Sequence, residues 1–159
     1  MRDIKFRGKE IDTGKWVYGG LFKEPAPPQC FEKTLEDKYW IVYPNPRFMP
    51  DWNLPFDMVR TDVDKNTIGQ YTGLHDKNGK EIYEGDIIEF SYDMFVGNFD
   101  TFVAKGKIVF EEGAFYVEVF ENERTTEDEA YLLYSINLDT IEVIGNIYED
   151  KELLNETNR

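Results

Sequence analysis

Short runs of alternating apolar and polar side chains, broken every few residues by glycine or acidic turns, constrain this chain more than any other feature. A period of two presents one apolar face when the backbone is extended and none when it is helical. Residues 4–7 alternate apolar and basic side chains, and residues 8–11 continue into a turn at Thr13 and Gly14. Trp16, Val17, Tyr18, Leu21 and Phe22 form the return arm of a hairpin, with a bulge expected at Gly19 and Gly20. Further strands are expected at residues 39–43, 86–90, 102–111, 114–120 and 141–148, and a Glu112-Gly113 turn joins two of them. Gly145 marks a bulge or a close approach, and Asn78-Gly79 suits a type I′ turn between residues 73–75 and 81–83. Residues 150–155 are the one helical segment expected. The chain reads as all-β, a barrel or a sandwich.

All seven prolines fall between Pro25 and Pro55, where they interrupt regular pairing. Residues 24–55 are therefore expected to be an irregular excursion apart from the strand at 39–43. With 159 residues the chain suits one unit spanning 1–159. Within it, residues 1–65 hold the N-terminal hairpin and the excursion, and residues 66–159 hold the barrel and the C-terminal helix.

Three segments carry a resemblance. Residues 67–90, TIGQYTGLHDKNGKEIYEGDIIEF, are similar to the central motif of the YopX family of phage and prophage proteins. Residues 4–21, IKFRGKEIDTGKWVYGGL, resemble its N-terminal hairpin, with Gly8 at a position where an aromatic or small residue is common. Residues 141–154, IEVIGNIYEDKELL, resemble its closing strand and helix, and the hairpin VFEEGAFYV lies between. The resemblance covers roughly two-thirds of the chain and implies an SH3-like small barrel core and a phage or prophage origin. It implies no activity and brings over no catalytic or ligand-binding residue.

Charge bears on partners rather than on fold. The formal charge is −14, from 32 acidic and 18 basic side chains, which disfavours nucleic acid and anionic membrane at long range. The basic residues crowd the start, at Arg2, Lys5, Arg7, Lys9 and Lys15. The acids crowd the stretch from Glu111 to Glu129. Cys30 is the only cysteine, so no internal disulfide forms and a reducing, cytoplasmic setting is expected, which the family resemblance implies is that of a bacterial host. No run of about 18 apolar residues occurs, so no membrane partner is expected.

Catalytic patterns are lacking. His75 is the only histidine, neither glycine-rich phosphate loop is present, and the carboxylates form no recognisable acid–base pair. The Asp76 turn lacks the alternation of a calcium loop. No cofactor and no metal are expected, and the chain reads as a non-enzyme. A low-weight alternative is a hydrolase built on a chance carboxylate pair. The leading expectation is a module that binds a host or phage protein, or itself. Next stands a nucleic-acid-binding barrel, or an acidic mimic of DNA. Exposed aromatics beside cations would supply the surface, and the residues chosen for it are Arg7, Lys15, Tyr18, Tyr71, Lys80 and Tyr83.

Overall fold

The computed structural model describes residues 3–27, 36–45, 57–95, 99–122 and 129–155. Cys30, much of the proline-rich excursion and residues 123–128 of the acidic run lie outside them. The chain is mainly β and divides into two compact units, Met1–Gln70 and Tyr71–Arg159. The division falls inside a strand, five residues beyond the boundary expected at 65.

The first unit is an antiparallel sheet of β1 (Phe6–Lys9), β2 (Trp16–Glu24), β3 (Lys38–Pro44) and β4 (Met58–Asp62), in the order β4-β3-β2-β1. The start of β5 (Gly69–His75) pairs with β1 through Gly69 and Gln70. Residues 39–43 form a strand as expected, within β3. The strand β4 is an addition, since its MVRTD sequence carries no clear alternation.

Gly19 and Gly20 do not form a bulge. They mark the point where β2 changes partner: Trp16 to Gly19 pair with β1, and Gly20 to Glu24 pair with β3, each in unbroken register. A Cβ on Gly19 would stand 2.2 Å from the Val42 carbonyl oxygen, so only glycine permits the strands to meet there. One face of the sheet is packed, with Ile41 and Thr61 buried and the Tyr43 hydroxyl 3.2 Å from Thr61 Oγ1. Val63 lies beyond β4 and fills the space left by the missing side chain of Gly8.

In the second unit β5 continues and pairs with β6 (Glu81–Tyr83). A five-stranded antiparallel sheet follows, ordered β10-β9-β8-β7-β11, from β7 (Asp86–Phe95), β8 (Phe99–Glu111), β9 (Ala114–Asn122), β10 (Glu129–Leu132) and β11 (Glu142–Asn146). The helix α1 (Lys151–Asn155) closes the described chain. Glu112 and Gly113, both at positive φ, make the tight turn between β8 and β9, as expected. Alternate residues of the strands fill one core: Ile88 and Phe90, Ala104 and Ile108, Val117 and Val119, and Val143, joined by Ile82, Leu133 and Ile141.

The pairing does not close this sheet into the SH3-like barrel that the family resemblance implies, because β10 and β11 remain its two ends. The physical reason lies along β11, two of whose amides are taken by side chains. Val143 N–H donates to Asp76 Oδ2 at 3.0 Å, and Asn146 N–H donates to Asp150 Oδ2 at 2.8 Å. Gly145 sits at a register shift where a Cβ would meet Asp150 Oδ2 at 2.6 Å, so it is both bulge and close approach.

Asp76 also corrects the expected I′ turn. Only Gly79 takes positive φ there, and the loop is organised by the carboxylate instead. Asp76 Oδ1 accepts from Asn78 N–H at 2.8 Å and Lys80 N–H at 2.9 Å. Lys77 N–H donates to the Ile141 carbonyl at 2.9 Å, and its ammonium lies 2.6 Å from Glu142 Oε2. The loop thus lies along β11 as a substitute strand. Burial alone would raise the Asp76 carboxyl, but the amides of Val143, Lys80 and Asn78 outweigh it and hold the group below its ordinary value.

Asp76→Ala leaves buried amides without an acceptor, and a loss of about 3 kcal/mol in urea denaturation is expected. Because the native carboxyl is depressed, its contribution is full above the ordinary carboxyl value of 3.8 and disappears as pH falls through the native value. The stability gap between wild type and Asp76→Ala should therefore shrink below about pH 4. A gap that stays constant down to pH 2 would contradict this account.

Candidate binding face

The six residues expected to form a binding surface divide between the two units. Arg7, Lys15 and Tyr18 belong to the first unit, whereas Tyr71, Lys80 and Tyr83 belong to the second. Arg7 is buried, its guanidinium carbon 4.7 Å from the centre of the Trp16 ring. Tyr71 and Tyr83 are buried with ring centres 5.4 Å apart, and the Tyr83 hydroxyl donates to Glu81 at 2.7 Å. Alternation reveals that a strand has two faces but not which one is covered. Lys80 and Lys15 are exposed in turns, and Tyr18 is exposed on β2.

Around Tyr18 the first unit presents a face that the sequence reading did not assemble. Along β2, Tyr18, Gly20 and Phe22 are exposed, while the intervening Gly19 and Leu21 are half-buried. Tyr18 and Phe22 keep 47% and 52% of their surface, enough for a ligand to touch either ring. Register places Phe22 beside Trp40, Gly20 beside Val42, Val42 beside Arg60, and Pro44 beside Met58. Trp40 is held in place: its indole N–H donates to Glu24 Oε2 at 2.8 Å, and the Arg60 guanidinium carbon lies 4.7 Å from its ring centre. The Lys38 ammonium lies 5.9 Å from the same ring, and Lys9 lies 5.3 Å from Trp16.

Gly20 gives this face its shape. A Cβ there would meet only the Val42 carbonyl oxygen, at 3.9 Å, so a gap one side chain wide separates Tyr18 from Phe22. The two rings spring from positions about 13 Å apart along an extended strand.

The charges are unevenly divided. The first unit holds eleven basic and eleven acidic residues, the second seven basic and twenty-one acidic, so the whole of the −14 belongs to the second unit. Among the described residues of the outer face, Lys9, Lys38 and Arg60 stand against Glu24 and Asp62.

A cavity of about 710 Å³ in the first unit has an apolar lining of Ile11, Tyr39 and Val63. Its rim charges pair with each other, Lys65 Nζ lying 2.7 Å from Glu36 Oε2. The pair raises the lysine and lowers the glutamate from their ordinary values. Its partners are half or more exposed, so it contributes little stability. Among the described residues no group of three or more His, Cys, Asp or Glu side chains is placed to hold a metal. No helix among them is long and apolar enough to cross a membrane.

The family model described as YopX protein matches residues 5–155, nearly the whole chain and both units. The chain belongs to the YopX family. No curated protein matches it. Among solved structures, the crystal structure of protein EF1440 from Enterococcus faecalis matches this YopX-family chain at 22% identity, over 97% of this chain and 99% of that one, with a TM-score of 0.45.

Two substitutions separate support from display on this face. Gly19→Ala should cost about 2 kcal/mol or more, because the clash is with backbone. Phe22→Ala should change stability by no more than about 0.5 kcal/mol, as a surface residue does. Thermal melts of both proteins check this, and a Phe22→Ala loss as large as that of Gly19→Ala would show that the ring is part of a core.

Proposed function

We propose that this YopX-family chain is a non-enzymatic binding module whose working surface is the outer face of β2, β3 and β4. The observation that carries the reading is the exposure of Tyr18 and Phe22 beside Trp40, Arg60 and Lys38 on a hydrogen-bonded sheet. Large rings left in water beside cations are costly to solvate and are the groups that recognition surfaces use. Among the described residues the two buried carboxylates have structural work to do. Asp76 accepts the three amides described above, and Asp86 Oδ2 accepts the Tyr83 N–H at 2.7 Å across the β6–β7 turn. This leaves the hydrolase alternative without support from either group.

Self-association is a second reading, favoured by the position of β4 and β10 as end strands. End strands offer backbone groups to a second copy. It predicts a concentration-dependent mass in sedimentation velocity.

A photo-crosslinking amino acid introduced at position 22 tests the first reading in cells without prior choice of partner. Higher-mass adducts are expected from position 22 and not from position 110, where Phe110 is exposed but lies on β8 with its ring centre 4.9 Å from that of Phe115. Equal or absent adduct formation at the two positions would overturn the proposal.

A further inference from the structure

We infer that the occupant of this face is a single-stranded nucleic acid, with a base entering the gap over Gly20 between Tyr18 and Phe22 and phosphates meeting Arg60, Lys38 and Lys9. The inference rests on the binding-module reading and names its ligand.

The chemistry required of such a site is specific: planar groups for the bases and cations for the backbone, on a surface wide enough for an extended chain. The outer face of the first unit meets each condition. Tyr18 and Phe22 present rings to solvent, and Gly20 between them leaves room for a flat group. Arg60 and Lys38 are exposed on the neighbouring strands and are held over Trp40. A polyglutamate peptide would satisfy the cations, but it brings no ring to stack on Tyr18 or Phe22.

Net charge is the standing objection, since −14 repels a polyanion. Its distribution answers much of that objection. The first unit is neutral overall, and its outer face carries Lys9, Lys38 and Arg60 against two acids. One of those acids, Glu24, already accepts the Trp40 indole. Repulsion from the second unit lowers the encounter rate without removing the contacts.

The test is fluorescence anisotropy of a labelled oligothymidine of about 12 nucleotides, within the span that small β-folds cover, with a labelled polyglutamate peptide as the second probe and the full chain as the protein. The oligonucleotide should bind, with affinity falling as salt rises, and polyglutamate should bind at least tenfold more weakly. Arg60→Glu should weaken oligonucleotide binding at least tenfold and flatten its salt dependence. Gly20→Val should weaken it at least fivefold without lowering the melting temperature, because the added side chain occupies the gap and its Cβ comes no closer than 3.9 Å to any neighbour. Wild-type affinity in Gly20→Val, or polyglutamate bound as tightly as the oligonucleotide, would overturn the inference. So would absence of oligonucleotide binding at low salt. In these cases adducts from the crosslinker at position 22 would still distinguish a wrong ligand from a wrong surface.

Discussion

The second unit depends on one carboxylate. Asp76 joins the loop between β5 and β6 to β11 across 67 positions of sequence, through a bond to Val143 N–H, while two further amides hold its own loop in shape. A carboxylate can replace a strand here because its two oxygens face different ways. One satisfies the turn and the other satisfies the edge. Without it the Val143 N–H would be left without its acceptor next to the core residue Ile141, and the loop between β5 and β6 would be held to the sheet, among the described residues, only through Lys77. Buried amides of this kind destabilise a fold far more when deserted than they stabilise it when paired.

Asp150 repeats the device further along β11, accepting from Asn146 N–H next to the shift at Gly145. One end of the five-stranded sheet is thus finished by acids and not by another strand. Part of the negative charge of the second unit is therefore architectural: Asp76, Asp86 and Asp150 all accept backbone amides. An excess of acids in a sequence is usually read as a statement about partners. In this unit several of them are also statements about strand ends and turns.

The legibility of the fold follows the range of the forces involved. Alternation and turn chemistry act over a few residues, and β1, β2, β3, β7, β8, β9, β11 and the final helix were all visible in them. Partner exchange at Gly19 and Gly20 depends on β3, about twenty residues away, so the glycines read as a local bulge. The same limit hid the binding face. Residues 39–43, YWIVY, look like a buried strand throughout, and only the register with β2 and β4 shows that Trp40 and Val42 face outward beside Phe22 and Arg60. Arg7, Tyr71 and Tyr83 went wrong in the opposite direction, because the phase of an alternation carries no label for inside and outside. The family was legible because its motif is continuous in sequence and survives any uncertainty about packing.

The gap at Gly20 has a consequence for selectivity. Its length, about 13 Å, is fixed by the hydrogen-bonded strand that carries both rings, so what it favours is a group able to lie against a ring face. A flat heterocycle gains that stacking contact and a branched aliphatic group does not, whatever hydrogen-bonding pattern either carries along its edge. A surface of this kind sorts ligands by class and is indifferent to their order along a chain.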